Sequence, residues 1–594
     1  MDSEQHEPVT PTPLSEVVLL ATLIVVVGLI YGARLGAQPV RGEETRWATG
    51  AREMLATGDW VVPRQQGQVF PERPPMTMWM MAMVGYMRGD VDVIAVRLPS
   101  VVAIVLTALT IYVYMRHSVS QSAALIGALV FATMGQVLQI GRLGESEALF
   151  TLLLSGSLLW WHLGYLRRWP LLVTWTLGFS LAGLAALVKG LQAPVYFVAI
   201  TVVYLAVRRD WRTLLCWQYV AGAATFFAIV GAWLVPFYLA TDWAAVVAIW
   251  SGLATDRLYL DGLAQHMVMY PLETFACLLP WSPLLFALTK SETRRVLDDA
   301  RPVISFVLTA LLVTYPTVWL ATGARGRYFM PLYPLVAVLN GLLVERCALA
   351  PRGSYPRRAW GQFLFLWTTL IAAGGLIVAG QSLLPSDWAA ALHQPRWFSI
   401  AFALLAAGAV WALWRANKDA GRLTALSAVV TIATIVAIGY VGIIININVA
   451  RWWDPTETVA QLRRFVPAEE TLVSFTPIDH RFAYFYQAPI EQLDWPTRLS
   501  DLPPDVDYFC FMRHPGDTAQ HRKAGRGRSW TTTPGTLPFA WEEVTTICVE
   551  RRLRDADQPM VVLGRVVRPL RPVVTDATQP QRKTAQKPAA PPHS

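Results

Sequence analysis

Apolar residues run along most of this chain in blocks of roughly twenty, the length that carries a helix across a hydrocarbon core about 30 Å thick. The first block is Val17–Ala33, followed by Leu98–Met115, Ala123–Leu138, Ala148–Tyr165, Leu171–Val188, Ala193–Val207 and Val220–Leu239. Phe275–Leu288, Val303–Ala321, Phe329–Val344, Phe363–Leu383, Phe398–Trp414 and Ala425–Ile445 complete the set. The pattern predicts an all-α polytopic membrane protein with about thirteen transmembrane helices. Met76–Tyr86 is apolar but short, and reads as an interfacial helix.

After Ile445 the pattern changes. A short helix is expected over Pro455–Val466, then strands over Thr471–Phe475, Phe482–Tyr486, Tyr508–Met512 and Val544–Glu550, separated by Pro, Gly and Asp. This predicts a small C-terminal soluble α/β domain over 447–574. A tail rich in Pro, Gln, Lys and Ala over 575–594 reads as disordered. The polar leader 1–16 lacks a basic segment before its apolar run and does not read as a cleaved signal peptide. The membrane domain is then 17–446, with its longest early loop at 35–75.

Composition agrees. Over 594 residues, 54% are hydrophobic and 15% charged, with 25 Trp, and the mean hydropathy is +0.38. An ordinary globular chain is about 25% charged. Five Cys are too few for a disulfide scaffold at this length, and Cys510 and Cys548 read as buried thiols in the C-terminal domain rather than as a bridge. The net charge of +9 is explained by cytoplasmic loops rather than by nucleic acid. Arg116, Arg167, Arg168, Arg208, Arg209, Lys290, Arg294, Arg346, Arg357, Arg415 and Arg422 fall in alternate loops, which the positive-inside rule makes cytoplasmic. The N-terminus is then inside. The loops of Glu43, Glu147, Lys189, His266 and Arg325 lie outside, as does the C-terminal domain.

Candidate chemistry concentrates in those outer loops. Glu43 and Glu44 stand where a helix begins; a capping role explains them, and so does a catalytic cleft at the membrane surface. Glu72-Arg73 is held between prolines. Glu147 opens one span and Lys189 closes another, at depths where ionisable groups face a cavity or a partner, although Lys189 could also snorkel. Arg325 and Arg327, beside Tyr328, oppose the positive-inside bias, and guanidinium groups suit phosphate.

These segments carry a resemblance. Glu43-Glu44-Thr45-Arg46-Trp47, Arg52-Glu53-Met54-Leu55, Gly58-Asp59-Trp60-Val61-Val62-Pro63 and Glu72-Arg73-Pro74-Pro75 are followed by Arg97-Leu98-Pro99-Ser100 and by Gly141-Arg142-Leu143 with Glu147. Lys189-Gly190, Leu279-Pro280-Trp281-Ser282, and Arg327-Tyr328 with Pro331-Leu332-Tyr333-Pro334 continue the order. Taken together, this succession resembles the aminoarabinose lipid A transferase family, which belongs with the protein O-mannosyltransferases among the C-type (GT-C) membrane glycosyltransferases.

The resemblance implies transfer of one sugar from a polyprenyl-phosphate donor to a lipid A-like glycolipid, polysaccharide or protein. The reaction would take place, with inversion, on the outer face of the plasma (inner) membrane. It places the leading acid at Glu43 and a second acid at Glu147, both Glu where the family usually has Asp. Glu72-Arg73 stands where the family has Glu-Lys, and Thr49 replaces a frequent Glu. Glu43 and Glu147 are the expected catalytic residues. Glu44, Glu72, Arg73, Lys189, His266, Arg325, Arg327 and Tyr328 are the expected substrate-binding ones. No cofactor is expected to be required; His266 matches a family histidine and could share a divalent cation with Glu72. A lipid-linked-sugar flippase and an inactive accessory protein are the alternatives. The flippase would be expected to show inverted repeats, and the sequence shows none.

Overall fold

The computed structural model describes residues 13–251, 262–383, 394–451, 454–467, 469–513, 537–548 and 560–568. The expected disordered tail and the first part of the leader lie outside these residues.

The N-terminal third folds as α1 (Pro13–Gly32), α2 (Glu43–Thr57), a hairpin of β1 (Arg64–Gln65) and β2 (Gln68–Val69), then α3 (Met76–Arg88) and α4 (Val93–Ser118). After these come α5 (Gln121–Ala132), α6 (Gly135–Ile140), α7 (Ser146–Leu166), α8 (Leu171–Lys189) and α9 (Gln192–Arg208). Among the described residues nine helices are long and apolar enough to cross a membrane, or ten if one bent pair is counted as a span. The other three expected crossings fall on shorter apolar helices: α1, α5 and α9.

Two apolar runs are broken. Ala123–Leu138 is divided between α5 and α6, where the Gly135 amide leaves the helix ladder and donates to the Leu279 carbonyl at 2.7 Å. Phe275–Leu288 is bent by 114° between the helix Leu263–Cys277 and the 3₁₀ turn Ser282–Thr289. Pro280 and Pro283 supply no amide hydrogen there, so the ladder cannot continue. Hydropathy counts apolar residues and is blind to such breaks. The short Met76–Tyr86 run is α3, whose Thr77, Met78, Met81, Ala82 and Gly85 are buried.

The bundle core is aromatic at one end. Trp161 and Trp175 are fully buried, and Trp161 meets Phe197, Tyr204 and Phe306 at centroid distances of 6.1–6.4 Å. His162 is enclosed with them, its two ring nitrogens 2.7 Å from the Tyr114 hydroxyl and 3.1 Å from that of Tyr204.

The chain leaves the bundle through the helix Arg422–Gly439, a π turn at Tyr440–Ile444 and a further helix that ends at Arg451, past the boundary expected at residue 446. A five-stranded sheet follows, in the order β4 (Glu491–Gln492), β3 (Val473–Ser474), β5 (Tyr508–Arg513), β7 (Met560–Val566), β6 (Trp541–Cys548). β3 runs parallel to β4 and β5, while β7 is antiparallel to both of its neighbours. Helix Thr456–Arg463 occupies the centre of the expected one.

The expected strand Phe482–Tyr486 is instead a helix, His480–Tyr486. Its aromatic residues favour strands, but Asp479 caps it by accepting from the Arg481 amide at 2.8 Å. Phe482 and Tyr486, four residues apart, stack at 5.7 Å, which is a helical spacing. No disulfide joins Cys510 and Cys548.

This sheet region rests on the loop over 35–75. Tyr484 is buried with Trp47, Met78 and Val91. Its carbonyl accepts from Arg52 at 2.7 Å, and its hydroxyl donates to the Val91 carbonyl at 3.0 Å.

Candidate active site

α2 begins at Glu43 because Gly42 adopts φ 55° and ψ −131°, outside helical space, and because carboxylates complement the positive end of the helix. It ends at Gly58 in the left-handed region, at φ 72°. Successive residues on a helix point about 100° apart, so the two adjacent acids diverge.

Glu44 turns inward and is fully buried. It accepts from Arg97 at 2.8 and 2.9 Å, from the Gly144 amide at 2.7 Å and from the Arg41 amide at 3.1 Å. Arg97, also buried, spends its remaining donors on the carbonyls of Leu35, Gln38 and Pro39. Burial pushes the Glu44 carboxyl up, but the Arg97 charge and these hydrogen bonds outweigh it and hold the group below the usual range. Glu44, expected to bind substrate, therefore ties the loop over 35–75 to α4 and does not line the cleft.

Glu43 turns the other way. Its carboxylate, 38% exposed, lies 3.2 Å from Arg46 one turn along, and Arg46 reaches Glu72 at 3.0 Å. A cavity of about 130 Å³ opens beside them, lined by Glu43, Arg46, Trp47, Glu72, Arg73, Glu145, Ser146, Glu147, Lys189, Arg327 and Tyr328.

Its far wall follows from the hairpin of α7 and α8. A short connection makes them antiparallel, which brings the first turn of α7 against the last residue of α8. Glu147 stands where an acid complements a helix start, and Lys189 where a cation complements a helix end. They meet at 3.0 Å, both nearly buried. Arg327, on the 3₁₀ turn Gly326–Leu332, bonds Glu145 at 2.5 Å and lies 3.7 Å from Glu147. The Lys189 ammonium also sits 5.2 Å from the Tyr328 ring centroid. Two carboxylates thus share two cations. Burial first, then the charge of Glu147, push the Glu145 carboxyl up to about 8, although Arg327 opposes them.

Of the expected site residues, Glu43, Glu72, Arg73, Glu147, Lys189, Arg327 and Tyr328 are brought together. Arg325 is not. It is exposed, and it lies at the start of the 3₁₀ turn while Arg327, two residues on, points into the cleft. His266 is not among the lining residues either. It packs on helix Leu263–Cys277 against Tyr270, ring centroids 5.0 Å apart, and its buried Nε2 has no hydrogen-bond partner among the described residues. Among the described residues no three His, Cys, Asp or Glu side chains group to hold a metal ion. Arg46, Trp47 and Glu145 were missed as site residues. For Arg46 and Trp47 the available signal was their i+3 and i+4 spacing from Glu43.

Residues 72–235 match the family of dolichyl-phosphate-mannose-protein mannosyltransferases. The undecaprenyl phosphate-alpha-4-amino-4-deoxy-L-arabinose arabinosyl transferase of Pseudomonas paraeruginosa is 30% identical over 349 residues, 56% of this chain and 61% of that protein. The protein of the same name from Serratia proteamaculans is 29% identical over 392 residues, covering 62% and 66% of the two chains. The chain thus spans about three fifths to two thirds of the length of these relatives. The fold superimposes on the crystal structure of ArnT from Cupriavidus metallidurans bound to undecaprenyl phosphate, with a TM-score of 0.64 over 93% of this chain and 98% of that one, at 17% identity.

The fold is that of the Cupriavidus metallidurans structure, and the nine long apolar helices among the described residues make the chain a multi-pass membrane protein. In sequence it is similar, over parts of its length, to aminoarabinose transferases and to the mannosyltransferase family, in line with the resemblance carried by its motifs.

Proposed function

We propose that this protein transfers a single sugar from a polyprenyl-phosphate donor to an acceptor hydroxyl at the outer face of the plasma membrane. The observation that carries this reading is the convergence of Arg73, Lys189 and Arg327 with Glu43 in one small cavity at the ends of α7 and α8. A donor phosphate needs clustered cations, and an acceptor hydroxyl needs a nearby carboxylate.

The chemistry is a single displacement. The acceptor oxygen forms a bond to the anomeric carbon while the bond from that carbon to the phosphate oxygen breaks, its electron pair leaving with the phosphate. The acceptor proton passes to Glu43, the one lining carboxylate of α2. Backside attack inverts the anomeric configuration. Arg73, Lys189 and Arg327 stabilise the charge that grows on the departing phosphate. Glu147 is a positioning residue: its carboxylate holds Lys189 and lies against Arg327, so both cations are oriented before the donor arrives. The relative from Cupriavidus metallidurans, crystallised with undecaprenyl phosphate, supports a lipid-phosphate donor of that class.

The test is cleavage of radiolabelled polyprenyl-phosphate sugar by the full chain in nanodiscs, with label followed into acceptor. Label transfer with an inverted anomer is expected. Passage of intact donor across sealed vesicles without cleavage would overturn the enzyme reading in favour of a flippase.

A further inference from the structure

A second cavity, of about 360 Å³, lies between the β1–β2 hairpin and the C-terminal sheet region. It shares Arg46 and Glu72 with the cleft of Glu43, so their 3.0 Å ion pair is the partition between the two spaces. The rest of its polar lining consists of carboxamides and one imidazole. Gln65, Gln66, Gln68 and Gln492 contribute four carboxamides, and His480 an imidazole.

The hairpin that presents these amides is held from both sides. Glu53 on α2 accepts from the amides of Gln66 at 2.5 Å and Gly67 at 3.2 Å. Gly67 takes φ 74° at the turn, a conformation that glycine adopts without cost. On the other side the Gln492 amide donates to the Gln66 carbonyl at 3.0 Å, and Gln68 donates to the Gln492 carbonyl at 3.2 Å. Gln66 is 94% buried, its side chain accepts from the Ile478 amide at 3.0 Å, and its Nε2 donor has no partner among the described residues. A buried donor left unsatisfied costs about 1–3 kcal/mol.

Charge separates the two cavities. The donor cleft is lined by Arg73, Lys189 and Arg327 together with Glu43, Glu145 and Glu147, whereas the residues lining the amide-lined one include only the Arg46–Glu72 pair as charged groups, and Arg46 also serves Glu43. His480 adds none: burial lowers its pKa to about 4, so it is neutral at pH 7. Carboxamides and a neutral imidazole donate and accept in equal measure, which suits vicinal hydroxyls and does not suit a phosphate.

We propose that this cavity is the acceptor subsite and that the group it takes is an uncharged, polyhydroxylated saccharide unit, a neutral carbohydrate rather than a phosphorylated one. The inference rests on the transferase reading and narrows its acceptor. The saccharide hydroxyl nearest Arg46 and Glu72 would reach Glu43 past that pair.

The test uses the full chain in nanodiscs with labelled polyprenyl-phosphate sugar. The acceptor is a total envelope glycoconjugate extract, taken before and after removal of phosphate with aqueous hydrogen fluoride. Label transfer should survive dephosphorylation and appear in the glycan fraction. Gln66→Met and Gln492→Ala should each raise the acceptor concentration for half-maximal transfer about tenfold, as loss of a hydrogen bond or two predicts. Undecaprenyl-phosphate binding and maximal rate should stay within about twofold of wild type. Two variants are needed because Gln66 also receives Ile478, whereas no hydrogen bond involves the Gln492 side chain among the described contacts; melting temperatures identify any loss of folding. Transfer that disappears with the phosphate, label arriving on protein, or unchanged acceptor dependence in Gln492→Ala overturns the inference while leaving the transferase reading intact. Failure of the wild-type chain to bind undecaprenyl phosphate would instead overturn that reading, and the subsite with it.

Discussion

Glu43 and Glu44 are adjacent, chemically identical and placed in opposite environments, so the same substitution at each should fail in a different way. Glu44→Gln keeps the side-chain shape but replaces one accepting oxygen with an amide nitrogen. Two Arg97 bonds, the Gly144 amide and the Arg41 amide all donate to that carboxylate. With Glu44 fully buried and Arg97 2% exposed, the substitution strands a guanidinium charge away from water. Breaking a buried pair from one side costs about 3–5 kcal/mol, enough to lower the melting temperature by several degrees.

Glu43→Gln loses only a half-exposed pair with Arg46, worth about 0–1 kcal/mol, and Arg46 keeps Glu72. Its melting temperature should stay near wild type. Its turnover should fall by about 10²–10⁴, the usual contribution of a general base, with donor binding intact. The assay is thermal unfolding of each variant in nanodiscs, paired with donor turnover at saturating donor. If Glu44→Gln melts like wild type yet is inactive, or Glu43→Gln stays active, the division between structural and catalytic acid is wrong.

Lys189→Met should weaken undecaprenyl-phosphate binding by at least tenfold and lower stability, because Arg327, at 3.7 Å, would be the one cation left beside Glu147 among the described residues; titration calorimetry on the full chain checks this, and Lys189→Arg should recover part of the affinity. Gly144→Ala should be destabilising by about 1–3 kcal/mol. The new Cβ would lie 2.3 Å from Val96 Cγ1 and 2.6 Å from the Val96 carbonyl oxygen, pushing the Gly144 amide off Glu44; wild-type melting would refute the close approach. His480, whose pKa falls to about 4 in the fold against about 6.5 unfolded, binds fewer protons folded than unfolded between those values. Stability should therefore drop as pH falls from about 6.5 to about 4, by up to about 1.4 kcal/mol per pH unit. The groups that act on the imidazole are Asp479, Arg46, Arg481 and Glu43. The loss in that window should flatten in His480→Gln, as melting curves across pH would show.

The sequence by itself determined what depends on composition and on short-range order. Runs of apolar residues report the cost of exposing side chains to lipid or water, a property of each segment alone, so each expected crossing coincides with helical structure even though two of the runs are broken. Ordered motifs such as Glu72-Arg73-Pro74-Pro75 were likewise legible, and seven of the ten residues singled out line one cavity. Tertiary structure decided the rest, because the relevant quantities are distances between segments. Glu43 and Glu44 look alike in a sequence, and only the position of Arg97, 53 residues on, makes one a buried tie and leaves the other at the cavity. Arg325 and Arg327 differ by which way a 3₁₀ turn faces them. Phe482–Tyr486 reads as a strand from its aromatic content, yet the Asp479 cap and the helical contact of Phe482 with Tyr486 outweigh that preference. The amide-lined cavity had no local signature, because Gln66 and Gln492 become neighbours only when the C-terminal sheet region docks on the loop over 35–75.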